Sequence, residues 1–394
     1  MTETWRAAID ELASFERPSA SEGERRAAEW IAARMSDFGC HAAVERERAH
    51  GGYWWPLGLA NALAVAGGLL ARRGWRRAGA ALAATAAAAI WDDVSGGRLW
   101  FRRALLPHRD TCNVVAETGD RTAKRTVLLV AHHDAAHSGL VFHPALGRIP
   151  PRVTPERHER STQSLPILYA VWLGPVAIGL SALTGVRRLS RYGSMLAVGA
   201  IAAMADIGVR DVVPGANDNL SAVGVLLALA KAIQDRPTEG VRVLLVSTGS
   251  EESFMEGMQG FARRHFSELD RGQTEVLCLE CLGGPTLIVL EGEGMLRMRD
   301  YPVQTREALA DAAAKAGVRI SRGLRTVAAT DALIALRAGY PTATLASVDY
   351  TKLPLNYHWP TDRPEALHWE TIENAIATTE EFVRSAPTRP LGPA

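Results

Sequence analysis

The chain has 394 residues, of which 47% are hydrophobic and 22% charged, and its formal net charge is +1. This composition excludes a disordered chain, and the length suffices for two domains or for one large α/β domain with insertions. The near-zero net charge gives no reason to expect nucleic-acid binding. Four cysteines do not indicate a disulfide framework, and the charged, amphipathic N-terminus predicts no cleavable signal peptide.

The first fifty residues predict two helices and a strand. A helical pattern covers 3–15, and a Pro-containing turn follows it. Ser21 and Glu24 have the spacing of a capping box, which predicts a second helix that ends near residue 38. A strand is expected over 41–47, and the composition then changes abruptly.

Two blocks without charged residues interrupt the α/β pattern. The first block covers 51–71 and 78–91, the second covers 161–186 and 192–205, and an arginine-rich turn divides each. Each block predicts a long apolar helix followed by a shorter one. About 20 apolar residues cross a bilayer, so the long segments qualify as spans. The segments of 14 residues cross only if flanking arginines reach the interface and Asp206 lies near it.

We therefore expect two apolar helical hairpins, 53–92 and 161–209, inserted in loops of a multi-pass membrane protein. Tryptophans at the segment ends are typical of the aromatic belt at a membrane interface. The positive charge of the basic turns favours a cytoplasmic position for the turns and an extracytoplasmic position for the large domain. Arginines at the opposite ends of the hairpins oppose this orientation. The alternative is that the hairpins pack on the folded domain or on a partner subunit.

The rest of the chain, 1–52, 93–160 and 210–385, alternates strands and helices, and the Pro-rich tail 386–394 is expected to be disordered. Strands are predicted over 113–117, 126–131, 241–246, 275–282 and 342–347. Helices are predicted over 220–234, 260–268, 303–316, 331–337 and 369–385. This alternation predicts a three-layer α/β/α fold with a central, largely parallel (mixed) sheet.

Most polar motifs follow the apolar strands, at the edge where open α/β sheets place their sites. Two histidines with several carboxylates form the ligand set of zinc in a catalytic site. The pair Cys278 and Cys281 has no second CxxC partner, so we interpret both as small strand residues. The motifs are His132-His133-Asp134, Gly215-Ala-Asn-Asp218-Asn219, Glu251-Glu252, Glu280 and His358.

The order of these motifs resembles that of the co-catalytic dizinc exopeptidases, which include bacterial leucyl aminopeptidases and glutamate carboxypeptidase-like zinc peptidases. The resemblance covers 1–50 and 110–385 and breaks only at the two hydrophobic blocks. It has two departures. Glu280 stands where aspartate is commoner, and Ala332 follows Asp331 where the family has histidine.

The resemblance implies two Zn²⁺ ions bridged by Asp218. It assigns the other metal ligands in two pairs, which are His132 with Glu280 and Glu252 with His358. This arrangement would activate a shared water and polarise the scissile carbonyl.

The resemblance also implies three catalytic residues. Glu251 would be the general base, which explains why the site needs two adjacent glutamates with separate tasks. Asp134 would orient His132, and Tyr357 would stabilise the oxyanion.

Other titratable residues receive no ligand role. We expect His133 and His137 to lie beside the site or at the surface, and Asp331 to contact substrate or to cap a helix. The histidines expected to be structural or solvated are His143, His158, His265 and His368.

The implied function is a zinc-dependent exopeptidase acting on peptides, with aminopeptidase as the first choice because it is the commonest activity in the bacterial part of the family. A carboxypeptidase, a dipeptidase or an N-acyl amino acid amidohydrolase would use the same site. The 77 residues between Glu280 and His358 are too few for the dimerisation domain of lid-domain amidohydrolases. The complete ligand set disfavours a single-zinc glutaminyl cyclase and a non-catalytic receptor. The hairpins suggest short or hydrophobic peptide substrates, and the oligomeric state stays open.

Overall fold

The computed structural model describes residues 2–166 and 168–391 of the chain. Positions 1, 167 and 392–394 lie outside the described residues. They fall in the predicted segments 1–52, 161–209 and 386–394.

The described strands form a seven-stranded and a three-stranded sheet, with the orders β1-β2-β4-β3-β5-β10-β6 and β8-β7-β9. Their ranges are β1 (His41–Ala49), β2 (Arg109–Gly119), β3 (Thr126–His132), β4 (Arg242–Thr248), β5 (Thr274–Glu280), β6 (Thr286–Val289), β7 (Gly292–Glu293), β8 (Arg299–Asp300), β9 (Arg325–Thr326) and β10 (Thr342–Val348). In the large sheet β4, β3, β5 and β10 run parallel, while β1, β2 and β6 pair antiparallel at the edges. The predicted largely parallel sheet is confirmed.

Helices cover both faces of the large sheet, which gives the predicted three layers. Their ranges are α1 (Thr2–Ala13), α2 (Glu22–Asp37), α3 (Trp54–Arg72), α4 (Arg76–Val94), α5 (Trp100–Leu105), α6 (Pro144–Gly147), α7 (Ile149–Val153), α8 (Pro155–Arg160), α9 (Tyr169–Thr184), α10 (Arg187–Val209), α11 (Ser221–Asp235), α12 (Glu256–His265), α13 (Val303–Lys315), α14 (Ala332–Arg337) and α15 (Trp369–Arg384). One hydrophobic core joins α1, α2, α11, α13 and α15 to the sheet. A second core joins the opposite face to α12, α14 and the apolar helices α3, α4, α9 and α10.

The two apolar hairpins pack together as one four-helix bundle, which the sequence did not predict. Small residues let the helix backbones approach closely, as in membrane helix pairs. A Cβ added to Gly79 would lie 2.3 Å from the carbonyl oxygen of Gly67, and one added to Gly193 would lie 2.9 Å from that of Gly174. Both basic turns lie at one end of the bundle, where the Nε of Arg76 donates to the carbonyl of Ala182 at 2.9 Å.

The predicted order of long and short helices is wrong. In the first hairpin α3 and α4 both have 19 residues, and in the second α9 has 16 and α10 has 23. The uncharged segment before α9 is not helical because it pairs with β9. Arg325 donates its N–H to the carbonyl of Thr162 at 2.8 Å, and the N–H of Ser164 donates to the Arg325 carbonyl at 3.1 Å. Among the described helices, α3 and α10 are long and apolar enough to cross a membrane.

The start of the predicted disordered tail, 386–394, is ordered. Ala386–Thr388 forms a 3-10 turn. The guanidinium of Arg389 pairs with the carboxylate of Glu275 and lies 4.1 Å above the ring of Phe382. These contacts anchor a segment whose Pro-rich composition by itself predicts no structure.

Candidate metal centre

The candidate site lies at the carboxyl ends of three adjacent parallel strands. His132 is the last residue of β3 and Glu280 the last residue of β5. Glu251 and Glu252 lie in the turn that follows β4, where Ser250 has a left-handed φ of 52°. Asp218 lies in the Ala216–Leu220 turn before α11.

The carboxylate of Asp218 faces a histidine with each of its oxygens. Its Oδ1 is 3.2 Å from the Nε2 of His132, and its Oδ2 is 3.3 Å from the Nε2 of His358. The first histidine also has Glu280 Oε1 at 3.5 Å, and the second has Glu252 Oε2 at 3.0 Å. The structure thus brings the five predicted ligands together as two pairs on either side of one carboxylate.

The residues at this centre fit zinc. The Nε2 of His132 and the Oε1 of Glu252 are buried, and neither has a hydrogen-bond partner among the described residues. Such an atom costs about 1–3 kcal/mol unless a ligand satisfies it. Donor atoms of His132, Asp218 and Glu252 lie within 4.8 Å of one another, and imidazole with carboxylate is the donor set of catalytic zinc sites.

Donor atoms of Asp218, Glu280 and Cys281 form a second close group. Burial raises the pKa of Cys281 well above its ordinary value, so the thiol stays protonated and is a poor metal ligand. Instead its Sγ donates to Glu280 Oε1 at 3.3 Å. Cys278 and Cys281 are both buried free cysteines, and the pair is not a metal site of its own.

The buried carboxylates of the centre favour positive charge beside them. Burial disfavours the protonated form of His358, yet Glu252 and Asp218 raise its pKa to about 10. His132 behaves in the same way, and its pKa lies well above the ordinary value because of Asp134, Asp218 and Glu280. Without a cation, protonated imidazoles neutralise these carboxylates. A bound cation would provide that positive charge instead.

Glu251 stands beside the two ligand pairs and lines the same cavity. Its Oε2 is 3.9 Å from the Nε2 of His132, farther than the oxygens of Asp218 and Glu280. Burial raises the pKa of Glu251 well above its ordinary value, and the neighbouring carboxylate of Glu280 adds to the effect. The adjacent glutamates therefore occupy different environments.

Asp134 links the histidine to the loop that carries both glutamates. Its Oδ1 is 3.3 Å from the Nδ1 of His132. The backbone N–H groups of Glu251 and Glu252 donate to its two oxygens at 3.0 and 3.2 Å, and the hydroxyl of Ser19 donates at 2.6 Å.

Glu24 supports the same loop, a role that the sequence did not reveal. Its carboxylate accepts the N–H and the hydroxyl of Ser250 at 2.9 and 2.8 Å and the hydroxyl of Thr111 at 2.8 Å. The predicted capping box forms on one side only, where Ser21 Oγ accepts the N–H of Glu24 at 3.1 Å. The spacing of Ser21 and Glu24 already accounted for Glu24 as a capping residue. Nothing in the sequence therefore indicated its long-range contacts.

Arg17 and Asp362 position the metal-site loops and were also missed. The buried guanidinium of Arg17 donates to the carbonyls of His133 at 2.8 Å and Pro214 at 2.7 Å. Asp362 accepts the N–H of Asp218 at 3.0 Å. A lone Arg before a Pro and an Asp in a turn carry no distinctive signal in a single sequence.

The other predicted residues lie around the centre. The ring of Tyr357 stacks on His358 at 3.9 Å between centroids. Burial raises the pKa of Tyr357 well above its ordinary value, so its hydroxyl keeps its proton. Asp331 directly precedes α14, but its side chain makes no capping hydrogen bond to that helix. Its carboxylate instead accepts the hydroxyl of Thr248. Buried His133 contacts Ser247 Oγ at 2.9 Å.

Five further histidines lie outside the centre. His137 contacts the carbonyl of Arg210 at 2.7 Å, and His368 precedes α15. The remaining contacts are His143 with the N–H of Ala145 at 3.1 Å, His158 with the Tyr350 carbonyl at 2.9 Å, and His265 with Glu45 at 2.8 Å.

A family model and several solved structures match this chain. The model of peptidase family M28 matches residues 200–383, which include four of the five predicted metal ligands. No curated protein sequence matches the chain. The fold and the family match confirm a hydrolase of the zinc-dependent metallo-exopeptidase class. This match over residues 200–383 confirms the predicted resemblance to zinc exopeptidases.

Solved structures share the fold at low sequence identity. The aminopeptidase from Aneurinibacillus sp. strain AM-1 has a TM-score of 0.58 and 14% identity, over 100% of this chain and 95% of that chain. BSAP, a zinc aminopeptidase from Bacillus subtilis, has a TM-score of 0.57 and 13% identity, over 98% and 94%. Tannerella forsythia glutaminyl cyclase has a TM-score of 0.55 and 14% identity, over 98% of both chains. The fold is therefore common to peptidases and cyclases, and the choice between them depends on the site.

Proposed function

We propose that the protein is a two-zinc aminopeptidase in which Asp218 bridges the ions. His132 and Glu280 would hold one ion, and Glu252 and His358 the other. The observation that carries this proposal is the position of Asp218, whose two oxygens face the two histidines at 3.2 and 3.3 Å. Bound zinc would supply Lewis acidity toward the scissile carbonyl and toward water.

Glu251 is proposed as the group that accepts the proton and passes it to the leaving amine. Two observations support this role. Its carboxylate lies outside both ligand pairs, at 3.9 Å from the Nε2 of His132. Burial raises its pKa, which favours acceptance of a proton. Glu252, at 3.0 Å from His358, is suited to a ligand role instead.

Two further residues complete the proposed machinery. Asp134, beside the Nδ1 of His132, orients the ring so that Nε2 points to the centre. Tyr357 lines the cavity with a protonated hydroxyl. Such a hydroxyl suits donation to the oxyanion that develops during peptide hydrolysis.

The charge of the cavity favours an aminopeptidase over a carboxypeptidase, a dipeptidase or an N-acyl amino acid amidohydrolase. The cavity has a volume of about 360 Å³, and among its described lining residues Lys352 is the one lysine or arginine. Its ammonium donates to the carbonyls of Glu159 at 3.0 Å, Ser161 at 2.6 Å and His158. All three N–H groups are thus used, which leaves no lysine or arginine in this lining for a substrate carboxylate.

We also propose that the bundle, formed by 53–92 and 161–209, lies in a membrane. At 23 residues α10 extends about 34 Å at 1.5 Å per residue, against about 30 Å of hydrocarbon. Both basic turns lie at the bundle end away from the metal centre, which favours an extracytoplasmic peptidase domain. Large apolar side chains are exposed on the bundle surface, namely Trp55, Leu59, Leu69, Leu173, Leu180, Leu183 and Val198.

A substrate screen with zinc and with chelator tests the activity. Aminoacyl amides, peptides with free and blocked termini, N-acyl amino acids and an N-terminal glutaminyl peptide would be compared. We expect release of the N-terminal residue that stops with chelator and returns with zinc. Release of the C-terminal residue would indicate a carboxypeptidase, and cyclisation of the N-terminal glutamine would indicate a glutaminyl cyclase. Either result would contradict the aminopeptidase assignment. A dialysed protein without zinc and without activity would indicate a receptor domain. Protease accessibility in intact cells tests the side of the membrane.

A further inference from the structure

The cavity at the metal centre continues along α10. At one end it is lined by Asp218 and Glu251, and from there its wall follows α10 from Ile207 to Met195. These twelve helical steps correspond to about 18 Å at 1.5 Å per residue. The residues of α10 that line it are Met195, Leu196, Gly199, Ala200, Ala203, Met204 and Ile207.

The far part of this groove is apolar and open. Across from α10 the groove is lined by apolar residues before and within α9, among them Leu165, Leu168 and Val171. Met195 is 63% exposed at the far end. A Cβ added to Gly199 would meet no atom within 4 Å, so this glycine borders empty space. The groove therefore leads from the carboxylates to the surface of the bundle that we propose lies in the bilayer.

The polarity of the groove identifies the class of its occupant. Its carboxylates lie at the metal-centre end, while the residues of α10 that line it are all apolar. An extended peptide in that part would need partners for its backbone N–H and C=O groups. The wall formed by α10 offers no such partners, because a helix satisfies its own backbone groups internally away from its ends. An alkyl chain needs no such partners.

We propose that the substrate is an amphiphilic amino-acid amide or peptide whose N-terminal residue carries a long alkyl chain that lies along α10. Gly199 then determines how long a chain the groove accepts. This inference rests on the proposed aminopeptidase function, because it places the free amine and the scissile bond at the metal centre. The alternative occupant, an N-terminal run of apolar side chains, is an outcome of the test.

The test uses the full chain in nanodiscs and a series of 2-aminoalkanoyl 4-nitroanilides with linear side chains of increasing length. We expect kcat/KM to rise about threefold to fourfold per added methylene until the groove is full. The Gly199→Trp variant places an indole in the groove, so it should end this rise at short chains. Val198→Trp is the matched control, because Val198 is 54% exposed and faces away from the groove.

Three results would separate the possible failures. Hydrolysis at equal rates for all chain lengths, with Gly199→Trp like wild type, would overturn the alkyl groove and leave the aminopeptidase proposal intact. If peptides with several apolar N-terminal residues were hydrolysed faster than any alkyl substrate, the occupant of the groove would be an apolar peptide and not an alkyl chain. If Val198→Trp ended the rise of kcat/KM at the same chain length as Gly199→Trp, the effect would come from the bilayer and not from the groove.

A labelling experiment decides the inference without turnover. A dodecylamine with a terminal diazirine would be photolysed on the zinc-loaded protein, and the labelled peptide identified by mass spectrometry. We expect labelling of the α10 segment between Met195 and Ala203, competition by a short aminoacyl amide, and loss in Gly199→Trp but not in Val198→Trp. Labelling that neither the competitor nor Gly199→Trp reduces would show contact with bulk lipid and overturn the proposal.

Discussion

The backbone N–H of Glu251 donates to the Oδ1 of Asp134 at 3.0 Å, and that same oxygen lies 3.3 Å from the Nδ1 of His132. The second oxygen accepts the N–H of Glu252 at 3.2 Å. One carboxylate therefore fixes the ring of a proposed ligand and the loop that carries the proposed base. Burial opposes its charge, but His132 keeps the pKa of Asp134 below its ordinary value.

Replacing Glu251 separates proton transfer from metal binding. We expect Glu251→Gln to lower kcat by about 10²–10⁴-fold, because the amide cannot accept the proton. Its zinc content should stay near that of wild type, since the side chain lies outside both ligand pairs. Elemental analysis of the purified variant, together with steady-state kinetics, checks both parts.

The neighbouring glutamate provides the control. Glu252→Gln should lose zinc along with activity, because its Oε2 is 3.0 Å from His358 Nε2 and an amide is a weaker ligand. Zinc loss in Glu251→Gln and retention in Glu252→Gln would reverse the two roles.

Replacing Asp134 tests its positioning role. Asp134→Asn removes the negative charge beside His132 and weakens the hydrogen bonds to the loop that carries Glu251 and Glu252. Loss of such a partner of a metal ligand typically lowers metal affinity or activity 10–100-fold. We expect a loss of that size in zinc affinity, measured by competition with a chromogenic chelator. Ser19→Ala removes one hydrogen bond to the same carboxylate and should cost less. Unchanged zinc affinity in Asp134→Asn would contradict the role.

The ligands were predictable because each stands at a strand end or in a motif with fixed order. His132 and Glu280 end strands that the apolar runs had located. Asp218 and His358 required the family resemblance, since neither lies at the end of a predicted strand. The contacts of Glu24 and Arg17 were not predictable, because each joins segments far apart in the sequence.

The hairpins were predictable as apolar helices, but their lengths and their packing were not. Absence of charge located both blocks, yet it included the segment before α9 that pairs with β9. Charged residues near both ends of α10 suggested a shorter helix, but the helix continues through Arg188 and Asp206. Packing between the hairpins depends on glycines such as Gly79 and Gly67, whose spacing in one sequence does not identify partners.

Zinc removal should lower the stability of the protein. Without cations the centre holds several buried carboxylates beside two imidazoles, and a ligand that binds only the folded state stabilises it. At a free zinc concentration 1,000 times Kd the gain is about 4 kcal/mol. We expect the thermal midpoint to fall with chelator and to return with zinc. Glu252→Gln should show a smaller difference, and an equal difference would place the stabilising zinc elsewhere.

Gly79 tests the packing of the bundle. Its added Cβ would lie 2.3 Å from the carbonyl oxygen of Gly67, so Gly79→Leu forces α3 and α4 apart. Overpacking of this kind typically costs about 1–3 kcal/mol. Ala78→Leu, at an exposed position of the same helix, should leave the thermal midpoint nearly unchanged. Equal midpoints for both variants would contradict the close approach.

Glu256, the first residue of α12, connects the bundle to the segment after the active-site loop. Its Oε2 is 3.3 Å from Arg102 Nη1, and its Oε1 is 2.8 Å from His50 Nδ1. Arg102 also pairs with Asp93, near the end of α4, at 2.7 Å. All four side chains are buried.

This cluster predicts a pH dependence of stability. Burial raises the pKa of Glu256, but His50 and Arg102 outweigh it and lower the pKa from 4.5 to about 2. Because the folded pKa is depressed, the carboxylate stabilises the protein above pH 4.5, and this contribution falls as the pH drops from 4.5 to 2. A shift of this size corresponds to about 3 kcal/mol.

Glu256→Gln should therefore be less stable than wild type by about 3 kcal/mol near pH 7, and the difference should narrow as the pH falls below 4.5. Denaturant unfolding from pH 3 to pH 7 measures this. Glu370→Gln, at an exposed position of α15, should follow the wild-type profile. A difference between Glu256→Gln and wild type that stays constant over the whole range would mean that the side chain stabilises the fold by packing and not through its charge.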